Sequence, residues 1–411
     1  MAESWCWLAG GAGWGVPLPP SSALGLAEAD VRQTLRLRLG GRDPEADRDA
    51  TLEFLQQASE LAEAGAVLCG ALGHELGPAL ERLPLGSTAP GPFGADAVLH
   101  VADPAALQRV WLPQLDPAPP RPAPVKWQAA GPAFRRGVAA LLEDIGAGRL
   151  YQANLTVALA DAGALPDDGA LVLAAITQAH PAPFAAWLRD GDARLGSGSM
   201  ESFLTVEGGV ASSRPIKGTR PRDPDPTRDA AARRALSSSA KEGAENRMIV
   251  DMARHDLGKV ATIGGVEVPA LLELRGYRTI WHLESEVRAR LHPDHDLAAI
   301  LAATLAPASV TGAPKIAATR RYTALEARRR GPYCGALGTL GPGRAARLAV
   351  GIRMVLDGGR GGGLQIPVGA GIVADSDPEQ EWNELLWKAR GSLAWLGRLD
   401  ALGARKEADG G

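Results

Sequence analysis

Lys217 sits in the stretch SSRPIKGTRPR, residues 212–222, between two prolines and beside a glycine. Pro215 and Pro221 fix the backbone on either side, and Gly218 releases it for a turn. Arg214, Arg220 and Arg222 add three cations to the same stretch. A lysine held still among like charges is expected to shed its proton more readily, as an amine nucleophile requires. Near the C-terminus Glu381, Glu384 and Lys388 are spaced by three and by four, so a helix places them on one face. That pattern is most often a solvated stripe with one Glu–Lys pair. It also suits a carboxylate pair for magnesium, which takes a few carboxylates, water and a substrate oxygen.

Other residues point the same way. AENRMIVDMARHDLG (244–258) is an amphipathic helix carrying Glu245, Asp251 and Asp256, and nothing local singles out Glu245. His282 lies in a strand-like segment beside a tryptophan, where a histidine is more often a core residue than a catalyst. SVTGAPKIAA (309–318) reads as a helix start capped by Ser309 or Thr311, or as a turn whose free N–H groups collect an anion. Arg353, mid-strand in VGIRMVL, needs an anion if it faces inward, and Tyr333 offers a hydroxyl to the same anion. Gly369 and Gly371 end a strand without dinucleotide-binding spacing, and their small size lets backbone N–H groups approach a carboxylate. Together these residues describe a pocket with several cationic or N–H donors and acids fit for a divalent metal. A small substrate with more than one carboxylate suits it.

The elements that must position them alternate between helix and strand signals. Helical spacing marks DATLEFLQQASELAEAGA, FRRGVAALLEDIGAG, GALVLAAITQA, AENRMIVDMARHDLGKV and PEQEWNELLWKARGSLAWLG. In the last of these, Asp377 is the expected N-cap, Pro378 the first helical residue and Gln380 the capping-box partner. Alternation marks LYQANLTVALA, RTIWHLESEVRARL, YCGALGTL, RLAVGIRMVL and LQIPVGAGIVA as strands. Residues 223–243 read as a polar surface loop. Strands outnumber simple strand–helix alternations, so an α+β fold is expected over a doubly wound sheet. The chain divides into a mixed segment 1–115, a proline-rich connector 116–130, a regular region 131–397 and a flexible tail 398–411.

Bulk composition bounds the function classes. The 411 residues are 45% hydrophobic and 22% charged, which is globular and excludes extensive disorder. A net charge of −3 gives no general affinity for nucleic acid or an acidic membrane. Cys6, Cys69 and Cys334 are scattered and odd in number, without metal spacing, as expected of a reduced cytoplasm. The N-terminal MAESWCWLAGGAGWG lacks the basic start of a leader, and no run reaches membrane-span length.

The ordered set AGRLYQANLT, PIKGTRPR, AENRMIVD, SVTGAPK, YCGALG and GAGIVADSDPEQEWNELLWKA resembles the chorismate-utilising enzyme family. The likeness covers residues 131–397 and is faint upstream, in AVLCGALGHELGPALERLP. It implies an anthranilate synthase component I-like α+β fold, with two stacked antiparallel β-sheets flanked by helices. Gln152 stands where members that add water have a lysine, so ammonia is the implied nucleophile. Lys217 stands where the branch that aminates chorismate at C4 has lysine and anthranilate synthases have alanine. The resemblance therefore implies that Lys217 attacks C2 of chorismate and expels the C4 hydroxyl, after which ammonia adds at C4. The product is 4-amino-4-deoxychorismate, a precursor of 4-aminobenzoate and folate.

The remaining roles follow by motif. Glu245 and Glu384, with Glu381 close by, match magnesium ligands. Arg353, Tyr333 and the Gly369–Ala370–Gly371 backbone match the enolpyruvyl-carboxylate site. Glu201 matches the acid that assists departure of the hydroxyl. Thr219, His282, Thr311 and Lys388 match further active-site positions. The implied cofactor is Mg2+, and the implied partner is a separate glutamine amidotransferase supplying ammonia. Met200, His255, Pro307-Ala308 and Arg320 depart from the family's usual residues. The alternatives are an anthranilate synthase component I and a non-catalytic chorismate-binding subunit.

Overall fold

The computed structural model describes residues 4–9, 21–91, 93–180, 182–277, 280–359 and 363–409. Much of the N-terminal stretch, Arg278, Thr279 and Gly410–Gly411 lie outside the described residues. Two large antiparallel sheets dominate. The nine-stranded one runs in the order Gly312–Ala313, Gln152–Asp161, Leu364–Ile372, Met354–Asp357, Ala193–Ser199, Phe184–Asp190, Ser4–Ala9, Ser22–Ala27, Gln108–Trp111. The ten-stranded one runs Ile216–Pro221, Ile280–Leu291, Val210–Arg214, Ser202–Glu207, Ala345–Val350, Ala336–Gly341, Val67–Leu72, Ala97–Ala102, Val31–Leu37, with Ala261–Gly276 also paired to Ile280–Leu291.

The two-residue period of a strand explains the layering. Along Met354–Asp357, Met354 and Leu356 enter one core cluster and Val355 the other. The first cluster joins residues of both sheets, such as Leu195 and Leu356 with Leu204 and Leu348, so the sheets stack face to face. The second lies between the nine-stranded sheet and the helices Gly131–Gly146, Gly169–Ala179, Lys315–Glu326 and Pro378–Asp409. Trp382 anchors the last helix there, 1% exposed and 5.7 Å from the Phe134 ring. Cutting such a side chain to alanine costs roughly 3–5 kcal/mol.

The α+β expectation and the stacked sheets hold. Four local expectations need correction. Residues 226–237 form a helix, Pro226–Ser237, capped by Asp225, whose carboxylate accepts from the Thr227 and Arg228 N–H groups. The Asp-Pro pair was the overlooked signal. The supposed tail from 398 continues the last helix, and Arg398 donates to the carbonyls of Asp116 and Gln178. The helix expected to start at Ser309 or Thr311 begins at Lys315 with Pro314 as its cap residue. Arg353 is not within a strand. It takes a left-handed φ of 53° between Ala345–Val350 and Met354–Asp357. The segment before residue 116 gives strands to both sheets, so the proline-rich stretch crosses the surface of a shared body.

Candidate active site

The edge strand Ile216–Pro221 explains how Lys217 is held. Ile216 pairs with Glu284 and Thr219 with His282, so three steps on one strand oppose two on the other. Lys217 and Gly218 occupy that bulge, and Gly218 has φ of 85°. A bulge re-aims a side chain, and glycine takes the left-handed conformation at little cost. Lys217 thereby enters a cavity of about 400 Å³ between the sheets. Its Nζ lies 3.7 Å from Glu245 Oε2.

The expected crowd of like charges is absent. Arg214 pairs with Glu286 at 3.2 Å, Arg220 with Glu242 at 3.5 Å and Arg222 with Asp229 at 2.9 Å. Each cation has its own carboxylate, and the charge nearest Lys217 is an anion. These partners are far enough away in sequence, up to 72 residues for Arg214, that the local motif could not reveal them.

The other side chains come from separate elements. The helix Ala240–Gly258 supplies Glu245, and the helix Pro378–Asp409 supplies Glu381, Glu384 and Lys388 to the same cavity. The expected Glu–Lys pair also forms, with Lys388 Nζ 2.8 Å from Glu384 and donating to the Gly369 carbonyl at 3.1 Å. The pairing read from that spacing is therefore present, and the same side chains also face the cavity. Lys388 draws the Glu384 carboxyl below its ordinary range. Burial raises Glu245, with Glu242 and Glu381 adding repulsion and Lys217 opposing. Burial also raises Glu381, which accepts from the Ser376 hydroxyl at 2.7 Å and feels the charge of Glu384.

Glu201, immediately before the strand Ser202–Glu207, is buried and pushed up to about 7 by desolvation, against the pull of Lys217. A carboxyl at that value still holds a proton near neutral pH, as a general acid must. Thr219 lines the cavity and shares a hydrogen bond of 2.9 Å with His282 Nδ1. His282 lies behind it, pushed down to about 4 by burial, so its imidazole is neutral at pH 7. Its Nε2 has no hydrogen-bond partner among the described residues.

Arg353 and Tyr333 line the cavity as expected. Burial lowers the Arg353 pKa and raises that of Tyr333 well above the usual phenol range. Arg353 donates to the Lys388 carbonyl at 3.1 Å. Gly369 and Gly371 belong to the strand Leu364–Ile372, and Ala370 between them turns its methyl into the helix-side core. A Cβ on Gly371 would stand 2.9 Å from Gln152 Nε2 and 3.4 Å from Lys217 Nζ, so a larger residue there would displace these two side-chain ends. The amide of Gln152 therefore lies near the amine of Lys217. Gln152 is buried and its Oε1 has no partner among the described residues.

Thr311 is not brought into this cavity. Its hydroxyl donates to the Ala308 and Pro307 carbonyls at 3.1 and 3.3 Å, holding the turn that sets Ser309 and Val310 in the wall. Lys241, Glu242, Asn154 and Ser309 also line the cavity and were missed. Lys241 precedes Glu245 by four residues on the same helix, a spacing that could have flagged it.

A family model for chorismate binding enzymes matches residues 40–394. The chain belongs to that family. The match begins well upstream of residue 131, where the motif likeness had been strong. An aminodeoxychorismate synthase of Streptomyces pristinaespiralis is 38% identical over 291 residues, which is 71% of this chain and 39% of that protein. Anthranilate synthase component 1 of Streptomyces coelicolor is 37% identical over 271 residues, 65% of this chain and 52% of that protein. The chain thus spans about 39 to 52% of these relatives' length. In solved structures, anthranilate synthase component I of Streptococcus pneumoniae TIGR4 shares the fold with a TM-score of 0.71, at 24% identity over 92% of this chain and 93% of that one.

Proposed function

We propose that this chain is an aminodeoxychorismate synthase component I, converting chorismate and ammonia to 4-amino-4-deoxychorismate. The observation that carries the reading is Lys217, aimed by a bulge into a cavity that also holds a proton-bearing Glu201. Lys217 in its amine form bonds to C2 of chorismate as both conjugated ring double bonds shift, C1=C2 to C1=C6 and C5=C6 to C4=C5, and the C4 hydroxyl departs. Glu201 gives that hydroxyl a proton, so water leaves. Ammonia then bonds to C4, both double bonds shift back, and Lys217 departs from C2 with its bonding pair. Two easier displacements replace one hard one. Thr219, backed by neutral His282, presents a hydroxyl to the cavity. Arg353 and Tyr333 are suited to the enolpyruvyl carboxylate.

Glu245, Glu381 and Glu384 would hold Mg2+. The donor set fits, because buried carboxylates that raise one another's pKa welcome a cation. Among the described residues no three acids close into a metal-holding cluster, so water and a substrate oxygen would have to complete the coordination. When bound, the ion neutralises the ring carboxylate. The ammonia would come from a glutamine amidotransferase partner.

The 37% identity to an anthranilate synthase component 1 favours a second reading, in which amination falls ortho and pyruvate is lost. Product analysis separates the two. The chain is incubated with chorismate, Mg2+ and ammonium, and products are identified by mass spectrometry. A 4-amino product supports the proposal and anthranilate overturns it. Bound but unconverted chorismate would point to a non-catalytic subunit or to an obligatory partner.

A further inference from the structure

A second compartment of about 310 Å³ opens beside the reactive cavity. Ile176, Gly198, Met200, Ile280, Trp387 and Trp395 form the apolar half of its wall, and Arg390 adds a cation at its exposed side. Thr219, Arg353, Trp387 and Lys388 line both spaces, so the two meet there. Their chemistry differs. Carboxylates and amines crowd the reactive cavity, whereas no carboxylate lines the second. His180 adds no fixed charge, because its Nε2 shares a hydrogen bond with the Gly391 carbonyl and burial lowers its pKa.

Chorismate, with two carboxylates and a hydroxyl, gains little from an apolar wall. A ring placed against Met200, Ile280 and Trp387 gains from both burial and aromatic contact. Arg353 makes no salt bridge among the described residues and donates to the Lys388 carbonyl. A half-buried arginine without an acid, facing both spaces, is open to an anion. The volume lies at the low end of small-molecule sites, roughly 300–1,000 Å³, enough for a one- or two-ring group.

We propose that the second compartment binds the ring of an aromatic monocarboxylate whose carboxylate rests on Arg353, in competition with chorismate. The competition rests on the proposed function, and the binding does not. Such a ligand would restrain the enzyme when aromatic carboxylates accumulate.

The test is calorimetric titration of the full chain with 3-phenylpropionate, beside 3-phenylpropan-1-ol and propionate. The acid with a ring binds at least about tenfold more tightly than the alcohol or the ringless acid. Met200→Trp and Ile280→Trp, which fill the compartment, each weaken it at least about tenfold and leave the melting temperature and chorismate turnover unchanged. Two variants guard against one that misfolds. In the product assay 3-phenylpropionate raises the chorismate KM without lowering kcat. No heat at roughly 5 mM ligand overturns the proposal. Binding that neither filling variant weakens overturns it as well. If the ligand binds and the filling variants block it, but no 4-amino product forms, the compartment stands and the proposed function falls.

Discussion

Charges in the reactive cavity and charges in the knot around Arg329 and Arg330 are treated in opposite ways. In the knot every charge is spent. Arg330 gives two bonds to Glu326, at 2.7 and 3.0 Å, two more to the carbonyls of Asn154 and Val310, and lies 3.9 Å over the Tyr322 ring. Arg329 pairs with Asp96 at 2.7 Å and donates to the Leu39 carbonyl. Glu75 accepts the N–H groups of Arg330 and Gly331 at 2.6 and 3.1 Å. In the cavity Lys217 keeps 3.7 Å from its acid and Arg353 makes no salt bridge among the described residues. Saturated groups fix a fold, and unsaturated groups are available to a ligand. The knot lies just before Tyr333, so the spent charges hold one wall of the cavity that the unspent ones line.

The contrast can be broken most sharply at Glu201. Glu201→Gln keeps the shape and removes the transferable proton, and kcat is expected to fall about 10²–10⁴-fold. The ratio of wild-type to Glu201→Gln kcat/KM, in which the pH dependence of the amine and of ammonia cancels, is expected to fall as pH rises through about 7, because the protonated acid is lost, and steady-state profiles of the two proteins check this. Next comes the knot. Arg330→Met leaves buried Glu326 with only its longer, 3.7 Å pair to Arg328 and costs roughly 3–5 kcal/mol, read as a lower urea midpoint. Arg353→Met is expected to leave the urea midpoint unchanged while raising the chorismate KM. Equal destabilisation by the two substitutions would erase the distinction.

A smaller effect is expected at Gly371. Gly371→Ala pushes a methyl against Gln152 Nε2 and towards Lys217, and roughly 1–3 kcal/mol of overpacking should appear as loss of kcat/KM. The smallest is a slope in stability. Glu201 and Glu75 both sit at about 7 in the fold against 4.5 for the free side chain. A raised carboxyl pKa means that the fold holds the proton more tightly than the unfolded chain does. Their contribution is therefore complete below about 4.5 and is lost as pH rises to about 7. Urea midpoints between those pH values should fall with rising pH, and more shallowly in Glu75→Gln.

Much of this was legible before any coordinates. The strand and helix signals around Gln152, Glu245, Ile280–Leu291 and Glu381 give the elements their types, because burial period is a local property. Glycine and proline around Lys217 marked a rigid frame, and the structure supplies its form as a bulge. What was hidden is long-range. Arg214, Arg220 and Arg222 looked like a cationic cluster until pairing brought Glu286, Glu242 and Asp229 to them. Thr311 and Arg353 were each placed in the right region, but backbone turns redirected one hydroxyl and put one arginine between strands.

The central claim is that Lys217 bonds to substrate, and the mass of the chain tests it most directly. Wild-type protein is quenched in acid after mixing with chorismate and Mg2+ without ammonium, and its peptides are mapped. The account predicts a fraction of chains heavier by chorismate less one water, with the added mass on the peptide carrying Lys217 and none in Lys217→Ala. Unmodified Lys217, together with 4-amino product from Lys217→Ala at the wild-type rate, would contradict it.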